Sequence, residues 1–242
     1  MSIQSVQNER VKQWVKLHTK KGRDEVGQFL IEGEHLIQEA LKENCVDLLL
    51  IEEGCMNPFN YENIEECSKN VMSKISQNVS SSNYIAICHF LNKEIKEVRR
   101  CILLDNVQDP GNMGTIIRTA HSFNFDAIYC SCDCVDIYND KTIRSTQGAL
   151  FHLPVKRVEL NEMCVELKKD QFHVFGTALD NAIPFADAKD YEKVALVFGN
   201  EGQGIRPDLL AKMDANYKIE INEFDSLNVA IAAGICMYRY RK

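Results

Sequence analysis

Nowhere in its 242 residues does the chain hold an apolar run near the roughly 20 residues that a membrane helix needs. Its opening, MSIQSVQNERVK, lacks the apolar stretch of a secretion signal, so no membrane partner is expected and the expected compartment is the cytoplasm. Paired cysteine knuckles are missing too. Ten cysteines are present, but CSCDC (Cys130, Cys132, Cys134) spaces its thiols every second residue, as one face of an extended segment would. Without a second pair at a fitting distance, reduced cysteines packed as small hydrophobes are expected, with no metal and no disulfide framework. No Gly-Lys-Ser/Thr follows a glycine loop and no G-x-G-x-x-G follows the first strand, which excludes the common phosphate and dinucleotide loops. Positive charge is short as well, 28 Lys and Arg against 35 Asp and Glu, so the whole molecule does not attract nucleic acid by net charge. Otherwise 45% hydrophobic and 26% charged residues describe an ordinary globular protein.

The charge is unevenly laid out. Residues 1–23 hold Arg10, Lys12, Lys16, Lys20, Lys21 and Arg23 against Glu9 alone, while residues 32–66 are acidic apart from Lys42. The basic stretch either tracks phosphates or is a solvated helix face. A basic helix is expected around Asn8–His18, then strand FLIEG, then helix HLIQEALKEN with Leu36, Ile37, Ala40 and Leu41 on one stripe, then strand VDLLLIEE. A polar stretch, SKISQNVSSSN, leads into the apolar run YIAICHFL, and NKEIKEVRR reads as a linker. The second half repeats the alternation. CILLDNV, DAIYCS, FHVFGTAL and VALVFGN are expected strands, and NMGTIIRTAHSF is a helix with Ile116, Ile117, Ala120 and Phe123 facing the core. The last helix carries Leu227, Ala230, Ile231, Gly234, Ile235 and Tyr238 on its apolar stripe, with Ser226 as its N-cap. This is an α/β chain with a mainly parallel sheet, divided into 1–94 and 95–242, and ligands are expected at the carboxyl ends of its strands.

Three loops fall at such ends. In NVQDPGNMGTIIR (106–118), Gly111 and Gly114 free the backbone at a helix start that suits an anion, though an Asp-Pro-Gly turn with a surface Arg118 explains it equally. In FGNEGQGI (198–205), three of the chain's 12 glycines surround Glu201. Either tight turns or close approach of the backbone to a ligand accounts for them. In NEFDSLNVAIAAG, capping by Ser226 leaves Asn228 without a reason to sit in a helix's first turn.

Together these loops resemble the SpoU (TrmH-type) branch of the SPOUT RNA methyltransferases. DPGNMGTIIRTA matches the family's first motif, LVFGNEGQGI its second and SLNVAIAAG its third, with IRSTQGALFHLPV also similar. The segment SVQNERVKQWVKLHTKKGRDEVGQFLIEGEHLIQEAL resembles the RNA-binding domain of many ribosomal-RNA members. The third motif departs from the family pattern: KIEINEFDSLN has Glu220 in place of the proline, no glycine, and one residue fewer.

The resemblance implies a C-terminal SPOUT domain with a deep trefoil knot, preceded by a small α/β RNA-binding domain. It implies S-adenosylmethionine bound against the backbone of the second and third motifs, with Thr177, Ala178, Phe198, Gly199, Asn200, Gly202, Ile219, Ile221 and Leu227 as contacts. Which of Ile219 and Ile221 meets the adenine is open. Asn112, Arg118, Glu201, Ser226 and Asn228 would form the catalytic constellation, and Asn8, Lys12, Lys20, Lys21, Arg23 and Arg144 would bind RNA. The implied reaction is methyl transfer to a ribose 2′-hydroxyl, in ribosomal rather than transfer RNA, by a homodimer. Arg118 is the family's proposed base, yet a guanidinium almost never deprotonates, so binding phosphate and stabilising the forming alkoxide suits it better, with Glu201 orienting it. Two other classes stay open: an RNA-binding assembly factor that has lost turnover, and a nucleotide enzyme of Rossmann type, already weakened by the missing fingerprint.

Overall fold

The computed structural model describes residues 2–78, 82–178, 182–222 and 226–241. The Leu179 end of the expected strand FHVFGTAL and residues 223–225 of the third motif lie outside them. Two compact units emerge: Met1–Asn92 with Tyr138–Phe151, and Lys93–Ile137 with His152–Lys242.

In the first unit, α1 (Glu9–Lys16) starts where the Asn8 side chain accepts the Arg10 N–H at 2.9 Å, and α2 (Lys20–Val26) stops at Gly27, whose φ of 69° suits glycine. β1 (Gln28–Glu32), α3 (Glu34–Lys42), β2 (Val46–Glu52), β3 (Ile64–Cys67), α4 (Lys69–Ile75) and β4 (Tyr84–His89) follow. The sheet runs β1-β4-β2-β3, antiparallel except for the β2–β3 pair. Val11, Trp14, Leu17, Leu30, Leu50, Val71, Ile75 and Ile85 form one core cluster. β3 and α4 escape the sequence reading: IEEC exposes carboxylates at a sheet edge, and α4 overlaps the stretch that reads as polar.

The sequence boundary at 94/95 leaves Tyr138–Phe151 in the second domain, whereas the structure groups it with the first unit. The reason is aromatic packing. The Tyr138 ring stacks on Phe90 at 4.4 Å and lies 4.5 Å from Phe29, which also stacks with Phe151 at 6.4 Å. Within this segment Asn139 caps α6 (Asp140–Thr146).

The second unit contains β5 (Arg100–Leu104), α5 (Pro110–Ser122), β6 (Ala127–Cys130), β7 (Val155–Arg157), α7 (Leu160–Lys169), β8 (His173–Thr177), β9 (Ile183–Pro184), β10 (Val194–Phe198), α8 (Pro207–Leu210), β11 (Ala215–Lys218) and α9 (Val229–Arg239). Its seven strands order as β7-β6-β5-β10-β8-β11-β9, every pair parallel. β10 is buried along its whole length, as expected of a strand covered on both faces. Because the chain steps from β5 outward to β7 and later inserts β10 beside β5, the strand order reverses between these two, where ligands collect. The segment 93–98 is more than a linker: Ile95 and Val98 pack on this unit's core.

Two sequence expectations change here. CSCDC is not extended, since β6 ends at Cys130 and the chain turns. Arg157 donates to the carbonyls of Ser131, Cys132, Cys134 and Val135 and holds that turn. On α9 the buried residues are Ala230, Ala233, Cys236 and Met237, while Ile231, Ile235 and Tyr238 of the expected apolar stripe are exposed. All ten cysteines are free, and burial pushes the Cys67 thiol up to about 12 and Cys164 up to about 11. No helix among the described residues is long and apolar enough to cross a membrane, and no metal-binding group of His, Cys, Asp and Glu occurs among them.

Phe29→Ala is expected to cost about 3–5 kcal/mol, because a fully buried ring that meets three other rings is lost. Urea unfolding followed by fluorescence measures it.

Candidate active site

The start of α5 supplies the first wall of the site. Asp109 caps it by accepting the Asn112 N–H at 2.8 Å, and Pro110 occupies the first turn, where no N–H is needed. The N–H groups of Gln108 and Asp109 precede the helix and would lack partners. Glu201, from the loop after β10, accepts both, at 3.2 and 3.0 Å, and accepts the Asn112 side-chain amide at 3.1 Å. Asn112 Oδ1 in turn accepts from Asn228 Nδ2 at 3.0 Å. Three segments, 89 and 116 residues apart from the first to the second and third, thus meet through one carboxylate and two amides. Desolvation opposes the Glu201 charge, but the Asn112 amide and the backbone N–H groups outweigh it and hold its carboxyl below the ordinary value.

The glycines around Glu201 have separate reasons. A Cβ on Gly199 would lie 2.1 Å from the Gly204 carbonyl carbon, so the loop's own backbone demands glycine there. Gly204 takes a φ of 72°. At Gly202 a Cβ would meet only Asn200 Oδ1, at 3.7 Å, so the chain itself does not require glycine at that position. Gly199 thus has a reason within the loop itself, apart from any ligand beside it. Asn200 closes the turn, exchanging backbone bonds with Gly204 at 3.0 and 2.9 Å while its Oδ1 accepts the N–H groups of Gly202 and Gln203.

The third motif is also rearranged. The N-cap of α9 is Asn228, whose Oδ1 accepts the N–H groups of Ala230 and Ile231, and not Ser226, which is exposed two residues earlier. Asn228 thereby has a reason for its place, since one amide caps a helix and donates to Asn112. Arg118 stands exposed on α5 and forms no ion pair with Glu201, whose acceptors are taken up by amides. Glu201 does not orient Arg118 here.

Of the expected cofactor contacts, Thr177 ends β8 and Ala178 follows it, Phe198 ends β10 with Gly199, Asn200 and Gly202 after it, and Ile219 and Ile221 follow β11. β10, β8 and β11 are neighbours and parallel, so these residues share one sheet end. Thr177, Ala178, Asn200, Ile219, Ile221 and Leu227 are half-buried, and Phe198 is buried.

The expected RNA contacts divide. Lys20 and Lys21 are exposed, and Lys12 pairs with Glu9 at 2.7 Å. Asn8 caps α1. Arg144 pairs with Asp140 at 2.7 Å and donates to Asn78. Arg23 is corrected: it is 3% exposed and its guanidinium donates to the Leu17 carbonyl at 2.8 Å, a structural role.

Sequence reasoning missed Asp105 and Arg206. Asp105 is fully buried at the end of β5, its Oδ2 accepts the Arg206 N–H at 2.9 Å, and its Oδ1 lies 2.9 Å from Arg206 Nε. The available signal was a carboxylate placed directly after the apolar run CILL.

Comparison with known proteins identifies the family. Residues 99–238 match the SpoU rRNA Methylase family and residues 8–86 an MRM3-like substrate binding domain. The chain is 41% identical to the 23S rRNA (guanosine(2553)-2'-O)-methyltransferase RlmP of Bacillus subtilis (strain 168), across 99% of this chain and 98% of that protein. It superposes with a TM-score of 0.87 on the AdoMet bound rRNA methyltransferase from Sinorhizobium meliloti, at 27% identity over 98% of this chain and 96% of that one. An RNA 2'-O ribose methyltransferase structure gives 0.83 at 26% identity, over 98% and 97% of the two chains.

Because the Glu201 carboxyl is held below its ordinary value, its contribution to stability is present at neutral pH and is lost as pH falls through the lowered value. Glu201→Gln should therefore lower the unfolding midpoint at about pH 7, with the gap to wild type closing between about pH 5 and pH 3. Thermal unfolding across that range tests it; a gap that persists at the acid end contradicts the charge-based role.

Proposed function

Because this chain belongs to the SpoU rRNA methylase family, we infer that it transfers a methyl group from S-adenosylmethionine to a ribose 2′-hydroxyl of ribosomal RNA. It is an S-adenosylmethionine-dependent RNA 2′-O-methyltransferase. The observation that carries this is the near full-length identity of 41% to a 23S rRNA 2'-O-methyltransferase. The residues at the carboxyl ends of β8, β10 and β11 fit the cofactor. They are half-buried and mostly apolar, and Gly202 leaves main chain bare where no neighbouring atom of the chain requires it. We assign the cofactor contacts to Thr177, Ala178, Phe198, Gly199, Asn200, Gly202, Ile219, Ile221 and Leu227, and expect the knotted topology of the family around them.

The cofactor supplies an electrophilic methyl group; the protein supplies position. Glu201, Asn112 and Asn228 hold three loops in one arrangement, and we assign them to positioning. Arg118, exposed and unclaimed by Glu201, can present its planar fork to the target phosphate and the forming alkoxide. Ser226, exposed just before α9, remains available to the ribose. The first unit, matched by the substrate-binding domain, is proposed to hold RNA through Lys12, Lys20 and Lys21, with the free cysteines suiting a reducing cytoplasm.

A homodimer is part of this reading. Ile231 (54% exposed), Ile235 (39%) and Tyr238 (55%) recur at helical spacing on the outer face of α9, beside half-buried Phe123, which meets the Tyr238 ring edge-on. An apolar helix face of this kind calls for a second copy to cover it. Light scattering at micromolar concentration should give about twice the chain mass, and an Ile231→Lys/Ile235→Lys variant should give a single chain. A wild-type monomer would end the dimer proposal.

Arg118→Ala should abolish methylation of ribosomal RNA from a strain lacking this gene, while calorimetric affinity for S-adenosylmethionine stays unchanged. Arg118→Lys should recover little, since a point charge cannot replace the fork. Full activity in the lysine variant would contradict the bidentate contact.

A further inference from the structure

Asp105 does two things at once. Its backbone N–H donates to the Phe198 carbonyl at 2.8 Å, and its carboxylate accepts the Arg206 N–H at 2.9 Å and faces Arg206 Nε at 2.9 Å. Phe198 is the last residue before the Glu201 loop and Arg206 the first after it. A single residue directly after β5 therefore pinches both ends of that loop at its base. Above the pinch, Asn200 Nδ2 donates to the carbonyl of Asn106 at 2.9 Å, and Asn106 itself takes a φ of 58° with its N–H on Ser131 Oγ. The tip is tied through Glu201 to Gln108, Asp109 and Asn112.

The base differs from the other ties in kind. The Asp105 side chain is 0% exposed, and Arg206 is its ion-pair partner. Burial works against the Arg206 charge, but the nearby Asp105 carboxylate more than offsets it and raises the guanidinium's pKa. Moving the loop off its base would leave a buried carboxylate without a counter-charge, which is far more costly than breaking a surface ion pair. The Arg206 head remains 40% exposed, so the pair is reached from the solvent side and is not sealed inside the core.

We propose that Asp105 and Arg206 form a latch that positions the 199–205 loop for methyl transfer, both acting as positioning residues through Glu201 and the loop backbone. The proposal rests on the methyltransferase reading above. Without the latch the loop keeps its internal turn, held by Asn200, but loses its fixed height over the start of α5. The cofactor contacts after β10 and the Glu201–Asn112–Asn228 chain shift with it. Small displacements of this kind reduce turnover without removing the reacting groups.

The test uses the full-length protein, S-adenosylmethionine, and ribosomal RNA from a strain lacking this gene. Arg206→Ala should lower kcat about 10- to 100-fold and weaken cofactor affinity, with RNA KM unchanged and the unfolding midpoint still well above the assay temperature. Both variants keep the backbone N–H that Asp105 accepts, and Arg206→Lys, which also keeps a positive charge beside the carboxylate, should restore most of the loss. Asp105→Asn combined with Arg206→Ala should be no worse than the more damaged single variant. An active wild type with an indifferent Arg206→Ala overturns the latch alone, as do losses that multiply in the combined variant or appear only as raised RNA KM. If Asp105→Asn fails to fold, the Arg206 series decides by itself. A wild type that neither binds S-adenosylmethionine nor methylates the RNA overturns the methyltransferase reading and the latch with it.

Discussion

Backbone N–H groups at the start of α5 have no acceptors within their own helix, and the second unit is arranged around supplying them. Asp109 satisfies one locally. Glu201 satisfies two more from a loop that the sequence places about 90 residues later, and the charge makes those bonds stronger than neutral ones. That single carboxylate fixes where the loop after β10 must sit. The Asn112 side chain, recruited by the same carboxylate, then reaches Asn228 and fixes the start of α9.

This accounts for the placement of polar residues in segments that are otherwise apolar. Asn112 and Asn228 are modest helix formers. Each stands at a helix start, where its backbone and side chain both have work: Asn112 receives the Asp109 cap and bridges two loops, and Asn228 caps α9 while donating to Asn112. The parallel sheet beneath carries little polarity of its own. Its central strands β5 and β10 are nearly continuous apolar runs, so the polar contacts gather at their ends, where the backbone leaves the ladder.

The outer face of α9 shows how packing divides one apolar helix. Ala230, Ala233, Cys236 and Met237 face inward, while Gly234 lies beside Thr119 of α5 and the Tyr238 ring meets Phe123. Larger Ile231, Ile235 and Tyr238 remain outside. Apolar periodicity alone cannot distinguish these faces, because both sides of the helix carry it. The choice is made by what lies opposite each face once the chain has packed.

Alternating apolar runs determined the α/β class and the main strands, and three glycine- and asparagine-bearing loops determined the family and the chemistry to expect. Those features are local, so they are legible one segment at a time. Tertiary structure decided the rest. It turned Arg23 inward to the Leu17 carbonyl, gave the α9 cap to Asn228 in place of Ser226, and grouped Tyr138 with Phe29 and Phe90. It also paired Asp105 with Arg206 across 101 residues and gave Glu201 amide partners in place of Arg118. A charge or an amide carries no mark in the sequence of which distant group will satisfy it; the partner is set only when burial removes water and leaves one donor within reach.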